Sequence, residues 1–159
     1  MNTTTTKQIA QHFRQVHTGG NWTSVNLQDT LAGVDWKMAT TTVQHCNSIA
    51  ALVFHINYYV SEVLKVLQGH PLQAHDTYSF LLPPLRGPED WEKLLQKTFA
   101  DAEAFARLVE NMPDEKLQEN FEQEKYGSYF RNLQGIIEHT HYHLGQIVII
   151  KKMIGATTP

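Results

Sequence analysis

The sequence predicts an all-α protein that folds as a four-helix bundle. Glycine and proline residues divide its 159 residues into segments, and within these segments apolar residues recur at the spacing of a helix face. No segment alternates apolar and polar residues over the length that a strand needs. Because three segments have roughly twenty or more residues and a fourth is shorter, a four-helix bundle is the simplest way to bury their apolar faces.

The first predicted helix covers residues 5–17. Its apolar face consists of residues three or four positions apart, namely Ile9, Phe13 and Val16. The stretch that follows, residues 21–46, has no sustained helical period. We therefore expect an irregular segment there, with one short helix near residues 26–32.

The second predicted helix begins at Asn47 or Ser48, since both residue types are favoured at the N-cap. It ends near residue 68, because Gly69 suits the left-handed C′ position that follows many helices. Prolines and glycines then interrupt the chain as far as Gly87. We expect this long link to be the crossover between the second and third helices.

The third predicted helix covers residues 88–111 and has Pro88 at its first position, where proline is favoured. The fourth covers residues 128–154 and contains two interior glycines, Gly135 and Gly145. Glycine is about 1 kcal/mol less favourable than alanine inside a helix. The two glycines therefore suggest that another part of the structure approaches this helix closely.

Length and charge limit the classes of function. Residues 1–159 fit a single domain, and 13 Lys and Arg against 16 Asp and Glu give a formal net charge of −3. Without a basic excess, nucleic acid and membrane surfaces are disfavoured as partners. The single cysteine, Cys46, excludes an intrachain disulfide, and we expect it to be a small packed residue. No signal segment and no apolar run of the ~20 residues that span a membrane are visible, so a cytoplasmic location is expected.

The clearest functional signal is a pair of histidines in the fourth helix. His139 and His143 are four residues apart, so they lie on one helix face about one turn from each other. The same sector is apolar and contains Ile136, Ile147, Ile150 and Ile154. Both imidazoles are therefore expected to point into the bundle, where two histidines at this spacing can share a divalent metal. No Glu follows the first histidine, so the HExxH metalloprotease motif is absent.

The second helix offers a third imidazole. His55 lies at the border of an apolar face formed by Leu52, Ile56, Tyr59 and Val63. Metal sites in bundles are built from side chains on facing helices, so His55, His139 and His143 are candidate metal ligands. Three protein ligands leave coordination positions open, as in catalytic metal sites. The alternative interpretation is that the three are core histidines satisfied by hydrogen bonds.

Three further residues are weaker candidates. Gln146 lies one turn after His143 and could hydrogen-bond a ligand imidazole or a bound water, with a solvated or capping role as the alternative. Tyr59 could orient His55 or line a pocket, but we expect it to pack in the core. Glu62 could act as a base, but we expect it to be solvated.

Two segments resemble signature segments of the DinB/YfiT-like family. The stretch EHTHYHLGQ at residues 138–146 resembles the family's HxxxHRGQ signature, and SIAALVFHI at residues 48–56 resembles its tixeLvxHi segment. The resemblance covers nearly the whole chain. It places three residues at the family's ligand positions, namely His55, His139 and His143. The sequence departs from the signature at Leu144, where the family often has an arginine.

The resemblance implies an up-down-down-up four-helix bundle, a nickel or zinc ion at the three histidines, and a homodimer. Some members of the family transfer low-molecular-weight thiols to electrophiles, and others are assigned as metal-dependent hydrolases. We therefore expect a metal-dependent thiol S-transferase whose partners are a small-molecule thiol and an electrophilic substrate. A three-histidine site can deliver a thiolate or a hydroxide, and the lack of a convincing Glu base nearby favours the thiolate.

Two alternatives stay open. One is a metal-dependent hydrolase that uses metal-bound water. The other is a non-catalytic dimeric bundle that binds a metal or a small molecule. The second alternative is supported by an additional apolar sector of the fourth helix, formed by Phe130, Ile137, Leu144 and Val148. Such breadth suits either deep burial or a subunit interface.

Overall fold

A computed structural model describes residues 3–157, and this part of the chain is all-α and contains no strand. Its six α-helices are α1 (Thr5–Thr18), α2 (Leu27–Leu31), α3 (Trp36–Thr40), α4 (Ile49–Leu67), α5 (Pro88–Glu110) and α6 (Tyr129–Thr157). The four long helices form the bundle, in which α5 packs against α1 and α4, and α6 packs against α4 and α1. The predicted all-α fold class is confirmed.

Both ends of α4 follow from the sequence. Ser48 is the N-cap residue, and its side chain accepts a hydrogen bond from the backbone N–H of Ala51. At the other end Gly69 has a φ of +90°, and the N–H of His70 donates to the carbonyl of Lys65 over 3.0 Å. This is a Schellman motif, in which glycine adopts the left-handed conformation at little steric cost. The predicted bounds of this helix are therefore confirmed to within a residue.

The region between α1 and α4 contains more helix than expected. The predicted short helix is α2, which begins after the N-cap Asn26. A second short helix, α3, follows and is capped by Asp35, whose side chain accepts from the N–H of Met38 over 2.8 Å. Helix α3 was not predicted from the sequence, although it is as long as α2.

The glycines of α6 do not mark a close approach within the described chain. A Cβ built on Gly135 or on Gly145 would meet no atom within 4 Å. The expectation is wrong because Gly145 is exposed and Gly135 faces a cavity. The helix also extends three residues beyond its predicted end at residue 154.

Two apolar clusters fill the bundle. One includes Phe13, Phe105, Phe121 and Leu133, and the other includes Leu27, Ile49, Trp91 and Ile147. Along α4 the second cluster ends at Ile56 and the first begins at Val60, and along α6 the change falls between Ile137 and Leu144. The middle of both helices therefore lies where one cluster gives way to the other.

By length and composition alone α4 could cross a membrane, but 67% of its most apolar window is buried inside the protein. Its apolar character is accounted for by its place in the core of the bundle, between α5 and α6.

The start of α1 is attached to the chain that follows α5. Backbone N–H groups of Thr5 and Thr6 donate to the Asp114 carboxylate over 2.8 and 3.0 Å, and the hydroxyl of Thr6 donates to it over 2.9 Å. These bonds satisfy orphan donors at the helix N-terminus and place a negative charge at its positive end. Hydrogen bonds from the N–H groups of Thr6 and then Thr5 lower the pKa of Asp114 to about 2.

This carboxylate should make folding sensitive to acid. Because the pKa of Asp114 is lower in the folded chain, its stabilising effect is present above its ordinary value of 3.8 and is lost as the pH falls from there towards about 2. The free energies of unfolding in urea of the wild type and of Asp114→Asn should differ most above pH 3.8. The difference between them should shrink as the pH falls from 3.8 towards about 2. The exposed neighbour Glu115, changed to Gln, is the control. A difference that stays constant with pH would contradict this account.

Candidate metal centre

Helices α4 and α6 bring the three candidate histidines together. His55 comes from the middle of α4, and His139 and His143 come from successive turns of α6. Nε2 of His139 lies 3.1 Å from Nε2 of His55, and one ring nitrogen from each of the three residues lies within 4.8 Å of the others. Within residues 3–157 no other group of three or more His, Cys, Asp or Glu side chains is arranged to hold a metal ion.

Hydrogen bonds fix the orientation of two of the rings. Nδ1 of His55 lies 3.2 Å from the carbonyl of Ser79, and Nδ1 of His143 lies 2.7 Å from Oε1 of Gln146. Because both partners are acceptors, both Nδ1 atoms must carry the proton. The lone pairs then remain on the Nε2 atoms. Metal-ligating histidines are oriented in this way by acceptors on their other nitrogen.

The site favours neutral imidazoles. Burial lowers the pKa of His139 to about 4, with further lowering by the neighbouring His143 and His55. Burial and then His143 also lower the pKa of His55. Neutral imidazole is the form that ligates metals. A donor set of three imidazoles fits a divalent cation of the zinc or nickel type.

Aromatic side chains enclose one side of the site. The ring of Phe80 stacks on His55 with centroids 3.9 Å apart and an interplanar angle of 11°. Tyr59 contacts His55 and His139 edge-on, and its hydroxyl donates to Asp76 over 2.7 Å. Tyr59 therefore contacts two of the histidines and lines the adjoining cavity, and it also packs against the first apolar cluster.

A cavity of about 700 Å³ opens beside His139. It lies between α4 and α6 and is closed on other sides by the crossover and by the segment before α6. Glu62 lines this cavity and is only 7% exposed. One carboxylate oxygen of Glu62 accepts from Lys65, while Oε2 is buried without a hydrogen-bond partner.

The expectation that Glu62 is solvated is therefore wrong, because α4 turns this side chain towards α6 rather than outwards. The expectation for Cys46 is also wrong, since it is exposed in the segment that precedes α4. Ser79 and Phe80 were not among the residues predicted for the site. Both belong to the crossover, where no periodic pattern relates a residue to the site.

The other histidines lie outside this group. Nδ1 of His17 lies 3.0 Å from the carbonyl of Phe13, and burial lowers the pKa of His17 to about 4. His141 faces His12 of α1, with ring centroids 6.1 Å apart. Its position two residues from His139 turns it to a different side of α6.

The hydrogen bond from His143 to Gln146 should support metal affinity. Loss of such an orienting partner lowers metal affinity by about 10–100-fold, so we expect a decrease of this order in Gln146→Ala. Competition with a chelator on the zinc-loaded protein measures it. Gln134→Ala on the same helix is the matched control. Equal affinities in the Gln146 variant and the wild type would show that this bond does not orient the ligand.

Comparison with known proteins identifies the family to which this chain belongs. The family model of the DinB superfamily matches residues 10–147. None of the curated proteins and none of the solved structures gives a significant match. The matched range includes α4 and the part of α6 that carries both histidines. The chain belongs to the DinB superfamily.

Proposed function

We propose that this protein is a metal-dependent S-transferase that activates a low-molecular-weight thiol for transfer to an electrophile. The observation that carries the proposal is the convergence of three histidines on one point beside an open cavity of about 700 Å³. Three protein ligands leave coordination positions for a substrate. Imidazole suits both nickel and zinc, and we propose one of these two as the ion.

A divalent ion bound there lowers the pKa of a thiol and makes the thiolate available near neutral pH. In the overall reaction the thiol R–SH and the electrophile E–X give R–S–E and HX, so the thiol proton leaves with X. The carbonyl of Ser79 and the side chain of Gln146 hold two imidazoles in the ligating tautomer. Phe80 and Tyr59 cover the face of His55 and limit the access of water on that side.

A hydrolase is the second candidate, and Glu62 is the observation that favours it. This buried carboxylate shares the cavity with His139 and has one oxygen without a partner. Along α4 it lies seven residues from His55, which corresponds to about 10 Å, so a proton from an attacking water would reach it only through a chain of waters. We place the thiol reaction first because it requires no base besides the metal, and because some members of the family that the sequence resembles transfer thiols.

We also propose that the protein acts as a homodimer. Ile137 and Leu144 of the broad apolar sector are each only 2% exposed and pack within the chain. Tyr142 and Ile149 of the same helix remain exposed by 65% and 60%, and their seven-residue spacing puts them on one face, two turns apart. Neighbouring exposed apolar side chains on one face form a surface that a second copy of the chain would cover. The same face supports the third candidate, a non-catalytic dimeric module.

Turnover with matched substrates separates the candidates. Protein loaded with nickel or with zinc should couple small thiols to 1-chloro-2,4-dinitrobenzene, and His139→Ala should reduce the rate to that of the thiol alone. Cys46→Ser should leave the rate unchanged, because the nucleophile is the substrate's sulfur. Cleavage of a nitrophenyl ester without any thiol, together with no thiol coupling, would favour the hydrolase. Neither activity in the metal-loaded protein would favour the binding module.

A further inference from the structure

The part of the crossover that carries the acceptor for His55 is mostly exposed. Within residues 71–80 only Ser79 is buried. A segment with so little apolar burial gains little free energy from packing against its neighbours. Its place against α4 must therefore be fixed largely by specific hydrogen bonds.

Those hydrogen bonds come from one face of α4. His55, Tyr58 and Tyr59 are three and four positions apart, so their side chains are neighbours on that face. The hydroxyl of Tyr58 accepts from the N–H of His75 over 2.8 Å and donates to the carbonyl of His75 over 3.1 Å. The hydroxyl of Tyr59 donates to the side chain of Asp76 over 2.7 Å. The two tyrosines thus attach consecutive residues of the crossover to α4.

A short hydrogen-bonded turn links these attachments to the carbonyl of Ser79. A 3₁₀ helix covers Asp76–Tyr78. The N–H of Tyr78 donates to the carbonyl of His75 over 2.9 Å. The N–H and the hydroxyl of Ser79 both donate to the carbonyl of Asp76, over 3.1 and 2.8 Å. Residues 75–79 therefore form one hydrogen-bonded unit, and the position of His75 determines where the carbonyl of Ser79 lies.

The carbonyl of Ser79 in turn determines the tautomer of His55. It lies 3.2 Å from Nδ1 of His55, which is a longer contact than the 2.7 Å between His143 and Gln146. A small displacement of the turn would take this contact beyond hydrogen-bonding distance. With its proton on Nε2 instead, His55 would donate to Nε2 of His139, which lies 3.1 Å away. That tautomer has no lone pair on the nitrogen that faces the other histidines.

We infer that Tyr58 is a positioning residue of the metal centre, and that its hydroxyl keeps His55 in the tautomer that ligates a metal. It acts through the backbone of His75 and the turn that ends at Ser79. The same turn lines the adjoining cavity through His75 and Asp76, so Tyr58 also fixes part of the cavity wall. The inference rests on the proposed function only where it concerns the metal, because the tautomer of His55 is a property of the metal-free chain.

Nitrogen NMR of the metal-free protein with isotope-labelled histidine tests the tautomer. Ring nitrogens that carry a proton differ in chemical shift from those that carry a lone pair, and His55→Gln identifies the signals of His55. We expect Nδ1 of His55 to be protonated in the wild type and the Nε2-protonated form to appear in Tyr58→Phe. Tyr78→Phe is the control, because Tyr78 belongs to the same turn but is 53% exposed. An unchanged tautomer in Tyr58→Phe would overturn the inference.

Zinc affinity measures the consequence for the metal. Competition with a chelator should show a decrease of about tenfold in Tyr58→Phe, the lower limit usual for residues that orient a ligand from outside, and no decrease in Tyr78→Phe. Phenylalanine keeps the ring that packs edge-on against Tyr59 at 5.3 Å. The variant should therefore remain folded, which circular dichroism and urea unfolding check. A loss of stability with unchanged zinc affinity would show a merely structural role and overturn the inference.

The two measurements distinguish failure of this inference from failure of the proposed function. If the wild type binds no zinc while Tyr58→Phe still changes the tautomer of His55, the metal proposal is wrong and the positioning role stands. If zinc binds equally well to both proteins and the tautomer is the same in both, the positioning role is wrong and the metal proposal stands.

Discussion

The site depends on three imidazole rings that lie within a few ångströms of one another and on an environment that disfavours the protonated form of two of them. Burial and mutual repulsion both oppose protonation of His139 and His55. The rings also need acceptors for their Nδ1 protons, and those acceptors are the carbonyl of Ser79 and the side chain of Gln146. The crossover must therefore fold back over α4 for the site to form. Ser79, only 2% exposed, is the point at which it does so.

The bundle places the histidines and their hydrogen-bond acceptors near the boundary between the two apolar clusters. Each cluster contains side chains from α4 and α6. On α6 both histidines lie between the two clusters, and on α4 His55 lies next to Ile56, where the second cluster ends. The two apolar clusters pack the helices together along the bundle, so a cavity beside the histidines is compatible with a stable fold. Burial within the bundle also gives the site a lower effective dielectric, which strengthens the interaction between the site and charged groups such as Glu62.

The sequence predicted those features that depend on helical period and helix caps. Ser48 and Gly69 mark the ends of α4 because their side-chain chemistry acts locally. The spacing of His139 and His143 was sufficient to predict a shared face, and the apolar neighbours were sufficient to predict its inward direction. Ser79, Phe80 and the burial of Glu62 depend on how the crossover and α6 meet α4. Such contacts between distant segments leave no local pattern.

The central claim is that His55, His139 and His143 hold a divalent metal, and elemental mass spectrometry of the untagged protein tests it most directly. The account predicts about one nickel or zinc ion per chain in the wild type and a clear loss in His143→Ala, with circular dichroism showing that the variant remains helical. No metal in the wild type, even after reconstitution with nickel and zinc, would contradict the account. The three residues would then be core histidines of a bundle that binds its ligands without a metal.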